Sequence, residues 1–417
     1  MKIWIVQVGE PTPTEDAQNE RLMRSGLLAN CLANRGHKVT WWATTFDHAR
    51  KSYRYYKQHT YEMRGGVTIK YLHPQTPYKR NVSLARIKNH KELAEQFKIA
   101  IAQEETPDLI LTGMPTPELC AEAVQYGNQK QIATFLDIRD LWPDDIIHLI
   151  PKLLKPLARL VLKRMENTVE NACENANGIC ATSPIFVNWG LKYAKRSQST
   201  LDMDFPLGYS NIAPKRNEEK RAQKFWESKG IKKNNDEFLL CFFGALGRTC
   251  TLPHVFEAMN QLQNKKIKVK LIICGKGDRE IEFKKYSKGI NNVSFIGWVG
   301  RPEIWTLMRM ADAGLVPVKN IYSYMSNYPN KTIEYLSAGL PLISSLKGIV
   351  GKLIEDEKIG FVYDEKNPDE LIQNLIHLIK NPSIKKKMAT NAKKIFNTRF
   401  SSEIVYNSFA KHLEQSI

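Results

Sequence analysis

The sequence predicts an α/β fold made of two tandem domains, each built around a parallel sheet. Short apolar runs alternate with helical patterns along the chain, which is typical of parallel α/β architecture. The alternation breaks over residues 205–236 and then starts again. A chain of 417 residues is also longer than one hydrophobic core usually supports. We therefore expect two Rossmann-like domains that face each other.

The first predicted domain covers residues 1–204. A helix is expected between its first two strands, from about Asp16 to Asn34, because Gly36 provides a helix stop. Its core strands are predicted from six short apolar runs, which occupy residues 2–9, 37–45, 67–73, 108–113, 131–138 and 178–183.

A linker and a second sheet are predicted after the first domain. Residues 205–236 are charged, contain Pro and Gly and lack a buried strand, so we expect a linker with one exposed helix. The second domain is predicted over 237–399. The tail, 400–417, has an amphipathic helical pattern and is expected to pack back on the first domain. The strands of the second domain are predicted from apolar runs at 237–247, 269–277, 293–298, 312–318, 340–345 and 360–365.

The charge balance predicts an anionic partner. Lys and Arg number 61 against 43 Asp and Glu, which gives a net charge of +18. Nucleic acid, a phosphate-bearing ligand and an acidic membrane surface all fit this excess. No apolar run reaches the roughly 18 residues of a membrane span, and the start turns acidic where a signal peptide continues apolar. We therefore expect a chain that stays in the cytoplasm.

The cysteines do not predict a disulfide framework or a structural zinc site. There are seven of them, scattered along the chain, and none forms a Cys-x-x-Cys pair. We expect reduced thiols that are mostly buried.

One glycine turn follows the first strand of the second domain. In "FFGALGRTCTLPHV", Gly244 and Gly247 end a buried run and lead into a helix that begins near Leu252. Glycines there let backbone amides approach a phosphate at a helix N-terminus, and Arg248 adds a fixed cation. An ordinary strand-to-helix turn is the alternative interpretation.

A second glycine turn, "CGKGD", follows the next strand and contains Gly275 and Gly277 around Lys276. Open α/β sheets bind ligands at the carboxyl ends of their strands. The two turns together therefore favour one ligand crevice more strongly than either turn does.

A third candidate lies in "SNYPNKTIEYLSAGLPLISS". Pro329 and Asn330 predict a helix start, so Lys331 and Glu334 project from one face of its first turn. Lys331 can complete a phosphate site as a point charge, and the carboxylate of Glu334 can accept hydrogen bonds from two ribose hydroxyls. A solvated salt bridge between the two is the alternative.

These motifs occur in an order that resembles a known family. "FGALGR", "GKGD", "FIGWV", "PNKTIEYLSAGLPLI" and "GFVYDEKNPDEL" resemble the donor-binding half of retaining GT-B glycosyltransferases of family 4. "RGHKVTWWAT" and "FLDIRDLWPDD" resemble the bacterial subgroup that builds O-antigen, colanic acid and capsular polysaccharides, including N-acetylfucosamine transferases. The resemblance covers nearly the whole chain.

The resemblance implies two Rossmann-like domains facing across a cleft and transfer of a hexose from a nucleotide diphosphate sugar, UDP-linked in our interpretation. The implied acceptor is a polyprenyl-diphosphate-linked sugar, as in lipopolysaccharide or capsule synthesis, and no metal or other cofactor is required. Arg248 and Lys331 would hold the diphosphate, and Glu334 would hold the ribose. Two departures affect this assignment. Ser326 replaces the first Glu of the family's Glu-x7-Glu motif, and no Lys follows Arg248 closely.

The segment "FLDIRDLWPDD" places four carboxylates and Arg139 directly behind a predicted strand. A hydrolase acid pair, a metal cluster and a helix cap are the possibilities from the residues themselves. In a cleft that binds an anionic donor, Arg139 argues against the metal. We predict that Arg139 buttresses or contacts the donor and that Asp140 orients Arg139 or the acceptor. Arginine stays protonated in proteins, so it cannot act as a general base. Asp144 or Asp145 would cap the next helix.

The stretch "PKLLKPLARLVLKRM" (151–165) predicts a basic amphipathic helix, which is typical of membrane-surface binding. Packing of the leucines on the domain core is the alternative. The net charge favours a peripheral enzyme on the cytoplasmic face of an anionic inner membrane. On a helical wheel, Lys152, Lys155, Arg159 and Lys163 share one face, opposite Leu153, Leu157, Leu160 and Val161. The loop after the first strand offers Gln18, Glu20 and Arg21 as acceptor contacts.

Three other protein classes compete with this interpretation. A GT-B nucleotide-sugar 2-epimerase would share the scaffold without a lipid acceptor. A nucleic-acid-binding protein would explain the charge, but the basic residues are spread over both domains and no recognition motif occurs, so nucleic acid is not expected as a partner. An NAD oxidoreductase is disfavoured because both first strands lack the dinucleotide fingerprint.

Overall fold

A computed structural model describes residues 1–17, 20–81, 83–148, 150–233 and 236–417. These residues form two compact units, Met1–Pro206 with Val405–Ile417, and Leu207–Ile404. The strands of the first unit are β1 Lys2–Val6, β2 Lys38–Thr44, β3 Phe46–Asp47, β4 Ser52–Tyr53, β5 His59–Met63, β6 Val67–Leu72, β7 Leu109–Met114, β8 Ala133–Ile138, β9 Gly178–Ala181 and β10 Met203–Asp204.

The main sheet of the first unit has the strand order β10-β9-β8-β7-β1-β2-β6-β5. All neighbours in it are parallel except β5, which pairs antiparallel with β6 at the edge. The central strands are buried on both faces, which explains why they appear in the sequence as continuous apolar runs. Strand β5, "HTYEM", was not predicted, because an edge strand with polar residues carries no such run.

Six helices belong to the N-terminal part of this unit, and a 3₁₀ turn at Lys152–Leu154 precedes the fifth. The first helix runs from Arg24 to Asn34, so its predicted end is confirmed and its predicted start near Asp16 is wrong. Before it, Tyr71 Oη donates to Pro13 O at 2.6 Å and Tyr55 Oη donates to Glu15 at 2.5 Å, and residues 18 and 19 lie outside the described residues. The helices are α1 Arg24–Asn34, α2 Leu84–Ile101, α3 Pro117–Lys130, α4 Asp144–His148, α5 Lys155–Asn175 and α6 Pro184–Ala194.

The second unit contains a six-stranded sheet of order β13-β12-β11-β14-β15-β16, in which all pairs are parallel. Two apolar cores lie in this unit. Its strands are β11 Phe238–Phe243, β12 Val269–Cys274, β13 Val293–Gly297, β14 Ala313–Val316, β15 Leu342–Ser344 and β16 Gly360–Val362. Its helices are α7 Arg216–Ser228, α8 Pro253–Asn264, α9 Glu280–Tyr286, α10 Arg301–Met310, α11 Tyr322–Met325, α12 Asn330–Ala338, α13 Gly348–Glu357, α14 Pro368–Lys380 and α15 Pro382–Ile395, which a π-turn extends over Phe396–Phe400.

Helix α7 differs from the exposed linker helix that the sequence predicts. Its Trp226 is fully buried, and the indole Nε1 donates to Glu303 O at 2.9 Å. The helix therefore packs against α10 as part of the second unit. The sequence pattern hid this role because Trp226 and Ala222 are the only buried residues in a helix that is otherwise charged.

The last helix, α16 Ser402–Glu414, places residues from Val405 onward in the first unit. Phe409 stacks on Phe205 with ring centroids 4.2 Å apart. The predicted fold class, two Rossmann-like parallel-sheet domains, is confirmed by both sheets. Six of the seven cysteines are buried, and all seven are unpaired thiols.

Candidate functional site

The two glycine turns of the second unit meet at the carboxyl edge of its sheet. Gly244 N donates to Cys274 O at 3.0 Å, and Gly275 N donates to Gly297 O at 2.7 Å. Gly244 and Gly275 have φ values of 146° and 144°, which L side chains rarely adopt. A Cβ on Gly275 would lie 1.9 Å from Gly244 O. Only glycine therefore allows the ends of β11, β12 and β13 to approach this closely.

The two cations that the sequence places on these turns lie at the surface. Arg248 is 88% exposed in its side chain, with Asp278 as its nearest carboxylate at 3.8 Å. Lys276 is also exposed, while its carbonyl accepts from Leu246 N at 3.0 Å. Gly247 has ordinary space around it, since a Cβ there would meet its nearest atom at 3.6 Å. Both cations are therefore able to reach a ligand above the turns.

Lys331 is the half-buried cation of this site. It lies in the first turn of α12, and its Nζ stands 4.6 Å from the centroid of the Phe242 ring and 3.1 Å from the position that a Cβ on Gly244 would take. Burial lowers the pKa of Lys331, while Cys250 and Glu334 oppose the shift. Within the described chain, no carboxylate lies within 4.0 Å of its ammonium group. A desolvated cation without an ion pair indicates a place for an anion.

Two further residues considered in the sequence, Glu334 and Ser326, are buried in the second unit. Glu334 is 4% exposed, so it does not form the solvated salt bridge that the sequence left open. Ser326 is 2% exposed and closes α11, with its N donating to Tyr322 O at 3.0 Å. Sequence reasoning missed Trp298, which is 72% exposed and directly follows Gly297. Tryptophan is usually buried, so an indole that is exposed next to this glycine turn indicates a contact with a ligand. The signal is the exposure of the side chain, which the sequence does not show.

In the first unit, Arg139 is held in a network of buried charges. Its Nε donates to Asp137 Oδ2 at 2.8 Å, its Nη2 donates to Ser25 Oγ at 2.9 Å, and its Nη1 pairs with Glu10. Arg24 approaches the other oxygen of Asp137 at 2.7 Å. Burial opposes the charge on Asp137, but Arg24 and then Arg139 overcome it and lower its pKa to about 2. The guanidinium of Arg139 is thus committed to the protein interior, which favours the buttressing role.

Asp140 lies in a pocket of about 190 Å³, formed beyond the carboxyl ends of β1, β2, β7 and β8. Desolvation within this pocket, followed by the nearby Asp145 carboxylate, raises the pKa of Asp140 to about 7, against the effects of Arg86 and Arg139. As a whole residue, Asp140 is nonetheless exposed. The carboxyl group of Asp140 therefore changes its charge near neutral pH.

The remaining acids of this segment have structural partners. Asp145 Oδ2 accepts from Leu141 N at 3.1 Å and so closes the turn that leads into α4. Asp144 Oδ2 accepts from Trp189 Nε1 at 2.7 Å. The candidate acid in this segment is therefore Asp140. Asp137, another of the four predicted carboxylates, is a supporting residue, together with Glu10 and Arg24, which the sequence did not indicate.

The acceptor contacts proposed from the loop after β1 find little support. Gln18 lies outside the described residues. Glu20 pairs with Arg50 at 3.1 Å, and neither Glu20 nor Arg21 lines the pocket of Asp140.

The basic segment 151–165 presents its apolar side chains to solvent. Leu153 is 94% exposed, Leu160 74% and Val161 70%. The buried face of α5 consists of other residues, among them Leu162. The alternative in which these leucines pack on the core is therefore wrong. The apolar patch, defined as Leu153, Leu154, Leu157, Leu160 and Val161, is accompanied by the predicted cations Lys152, Lys155, Arg159 and Lys163.

No helix in the described ranges combines the length and hydropathy of a membrane span. An exposed apolar patch with neighbouring cations is instead typical of a helix that lies on an interface.

Comparisons with known proteins agree with this architecture. The family model described as glycosyl transferases group 1 matches residues 224–395, inside the second unit. Alpha-monoglucosyldiacylglycerol synthase of Acholeplasma laidlawii is 27% identical over 41% of this chain and 42% of its own length. A capsular polysaccharide biosynthesis glycosyltransferase of Staphylococcus aureus, CapM, is 21% identical over 81% of this chain and 85% of its own length. The chain thus spans less than half of the first of these relatives.

Solved structures match the whole chain. Sucrose-phosphate synthase from Thermosynechococcus elongatus aligns with a TM-score of 0.71 at 16% identity and covers 99% of this chain and 98% of its own. Anabaena HepE, solved in complex with UDP and glucose, aligns with a TM-score of 0.68 at 15% identity and covers 100% of both chains. At such identities these matches show the fold. The structural matches over the full length show a two-domain GT-B fold, and the second unit is similar to the glycosyl transferases group 1 family over residues 224–395.

Proposed function

We propose that this chain moves a hexosyl group from a UDP-linked sugar to a polyprenyl-diphosphate-linked glycan, with retention of configuration, in the synthesis of a bacterial surface polysaccharide such as O-antigen or capsule. The observation that carries the proposal is the ammonium group of Lys331, which lies against the Gly244 turn in a half-buried residue and is unpaired with any described carboxylate. A diphosphate supplies the negative charge that this position lacks.

The glycine turn offers the diphosphate a set of backbone donors. The amides of Gly244 and Leu246 are already used, since they donate to Cys274 O and Lys276 O. Across the described residues, the amides of Ala245, Gly247 and Arg248 donate to no backbone carbonyl. We assign these three amides to the phosphate oxygens, together with the side chains of Arg248 and Lys276 above the turn.

The nucleoside is assigned to the neighbouring groups. The Glu334 carboxylate would accept hydrogen bonds from the two ribose hydroxyls, which are donors of matching spacing. Trp298 would stack on the base, because an exposed indole gains contact area and a favourable aromatic geometry from a planar ring. HepE, a structural neighbour, was solved with UDP bound, which supports a nucleotide sugar as the donor.

The chemistry follows from the charge that develops on the leaving group. The bond between the anomeric carbon and the β-phosphate oxygen breaks, and the acceptor oxygen forms its bond on the same face of the sugar. The proton of the acceptor hydroxyl passes to the leaving phosphate. Lys331 and Arg248 stabilise the negative charge on the departing diphosphate, so the scheme requires no metal ion. Asp140 orients the acceptor hydroxyl, and Arg139 holds the strand end that carries Asp140.

The lipid-linked acceptor and the membrane location rest on the apolar patch. Its leucines are exposed between cations, and each cation near anionic lipid contributes about 1 kcal/mol to binding. The names of two relatives, a glucosyldiacylglycerol synthase and a capsular polysaccharide transferase, fit an acceptor that carries a lipid or a growing polysaccharide. We propose a peripheral enzyme on the cytoplasmic face of an anionic membrane.

A thermal-shift panel of UDP, GDP, ADP and TDP, each with its sugars, tests the proposal. A nucleotide at 100 times its Kd stabilises the fold by about 2.7 kcal/mol. We expect UDP and a UDP-sugar to raise Tm. No shift with any nucleotide would refute the transferase. If the pure protein converts UDP-N-acetylhexosamine without an acceptor, the chain is an epimerase of the same fold.

A further inference from the structure

We propose that Arg86 binds the phosphate of the lipid-linked acceptor, at the boundary between an apolar pocket that takes the lipid chain and a polar pocket that takes the sugar. Both pockets lie within the first unit. The inference rests on the proposed function and names a binding residue that the sequence did not indicate.

Arg86 is the one described residue that lines both pockets. The polar pocket is the 190 Å³ space that contains Asp140. The apolar pocket has a volume of about 240 Å³ and lies between α2, α4 and α5. Its walls are almost entirely hydrocarbon, from Leu84, Ile87, Trp142, Ile146 and Leu162. The polar pocket is lined instead by hydrogen-bonding groups, including Gln7, Thr44, His48, Asn89 and His90.

The guanidinium of Arg86 is desolvated but has no carboxylate partner. Its carbon lies 4.4 Å from the centroid of the Trp142 ring, its Nη1 donates to Asn81 O at 2.8 Å, and its Nε donates to His90 Nε2 at 3.3 Å. Burial lowers the pKa of Arg86, with Tyr78 and then Asp140 opposing the shift. No salt bridge joins it to any carboxylate in the described ranges.

The three arginines of the first unit with the least exposed side chains in ion pairs, at most 12% exposed, behave differently. Arg24 lies 2.7 Å from Asp137, Arg54 lies 2.8 Å from Asp47, and Arg139 pairs with Glu10. Removing a cation from water without an opposite charge is costly. The exception at Arg86 therefore indicates that an anion completes the site, and a phosphate matches the donor geometry of a guanidinium.

The apolar pocket and the apolar patch share helix α5. Leu162 lines the pocket and follows the exposed Leu160 and Val161 on α5. On the other side, Leu84 lines the pocket while 82% of it is exposed. Along one path the protein thus presents an apolar patch, an apolar pocket, an unpaired arginine and a polar pocket with Asp140. A lipid-linked sugar has the same order of hydrocarbon chain, phosphate and sugar.

Isothermal titration of the full-length protein, with UDP present to fill the second unit's site, tests this assignment. Farnesyl diphosphate is the probe, and farnesol and inorganic pyrophosphate are its two halves. We expect farnesyl diphosphate to bind more tightly than either half. Arg86→Ala should weaken it by about ten- to a hundredfold, as for a lost charge-assisted hydrogen bond, and Arg86→Lys should weaken it less. Lys88→Ala, on the exposed side of α2, should change nothing.

Three outcomes would overturn the assignment. The first is unchanged affinity in Arg86→Ala; the second is pyrophosphate binding that equals farnesyl diphosphate, which would indicate a site for phosphate without lipid. The third is full competition by phosphatidylglycerol vesicles, which would assign Arg86 to a bilayer headgroup. If Arg86→Ala lowers Tm so far that the protein is unfolded during the titration, Ile87→Ser tests the assignment instead. This variant should reduce the affinity for farnesyl diphosphate and leave the affinity for pyrophosphate unchanged. Loss of UDP binding in the wild-type protein would refute the proposed function instead, so the two failures are distinguishable.

Discussion

Arg139 and Asp137 are joined by a hydrogen bond of 2.8 Å from the guanidinium Nε to Oδ2, at the end of the strand that leads to Asp140. Arg24 holds the second oxygen of the same carboxylate, so one buried acid organises two arginines. This relationship shows how a segment with many charged residues can position one candidate acid, Asp140. The other charged side chains of the segment form hydrogen bonds within the protein and hold the backbone that carries Asp140.

Replacing Arg139 with Lys should therefore reduce stability and turnover together. A lysine keeps the charge but cannot bond Asp137, Glu10 and Ser25 at once, and the loss of one charged hydrogen bond costs about 1.5 to 3 kcal/mol. Urea denaturation measures the free energy of unfolding, and initial rates measure kcat. Arg50→Lys, at an arginine that is 59% exposed, is the control. A variant with normal kcat would remove Arg139 from the site.

The Gly275→Ala substitution should abolish nucleotide binding and destabilise the second unit. The new Cβ would overlap Gly244 O at 1.9 Å, so the two turns must separate. Gly289→Ala is a matched control, because Gly289 also has a positive φ of 86° but no atom within 4 Å of its added Cβ. The control should cost about 1 kcal/mol from backbone strain and retain UDP affinity. Equal losses in both variants would show that strain, and not the contact between turns, is responsible.

The parts of the fold that the sequence predicts are those with a local pattern. Strands such as β1 and β11 are buried on both faces and therefore appear as continuous apolar runs. Edge strand β5 alternates between half-buried and exposed residues and contains few apolar ones. Helix α7 buries one tryptophan in an otherwise charged sequence. Neither element therefore shows a clear hydrophobic pattern in the sequence. Burial against a neighbour decides both cases, and the neighbour is distant in sequence.

The same distinction applies to the candidate site. The sequence predicts Lys331 and Glu334 as ligand-binding residues, because a helix start and a spacing of one turn are local features. Arg24 and Asp137 are 113 residues apart, and only the order of strands in the sheet brings them together. Arg86 lies on α2, whose sequence pattern does not single it out. Its proposed role in phosphate binding depends on the lack of an ion pair with any described carboxylate. A sequence does not show the absence of a tertiary partner.

Lys331→Met should weaken UDP binding without loss of stability. The ammonium group is desolvated and unpaired with any described carboxylate, so an apolar side chain of similar length relieves the cost of burying it. Binding should fall by about ten- to a hundredfold, from the lost charge-assisted contact with the diphosphate. Titration calorimetry gives the affinity, and thermal melting gives the stability. The exposed Lys352, replaced by Met, is the control. Unchanged UDP affinity would rule out Lys331 as the diphosphate ligand.

The activity should increase as pH rises through about 7, because the raised pKa of Asp140 keeps its carboxyl protonated below this value. Asp140→Asn should have low activity and lack this step in a profile of kcat/KM against pH. The free energy of unfolding should change in the opposite direction and decrease as pH rises. The ionised form is disfavoured in the folded state, so Asp140 reduces stability progressively from about pH 4 to about pH 7, and the Asn variant should melt higher at pH 8 but not at pH 4. A wild-type profile that is flat from pH 6 to 8 would contradict this assignment.

The apolar patch should be required for membrane binding but not for folding. Leu157 is 60% exposed and Leu160 is 74% exposed, so replacing both with Ser removes little from the core. Each leucine contributes about 1.5 to 3 kcal/mol when fully buried in hydrocarbon, and binding to phosphatidylglycerol vesicles should fall by at least about tenfold. Sedimentation with vesicles measures this, at low salt and again at high salt, where screening of the cations should weaken the wild-type protein as well. Ile99→Ser, at an isolated residue that is 68% exposed on α2, is the matched control. Full vesicle binding by the double variant would show that the protein reaches its acceptor through another surface.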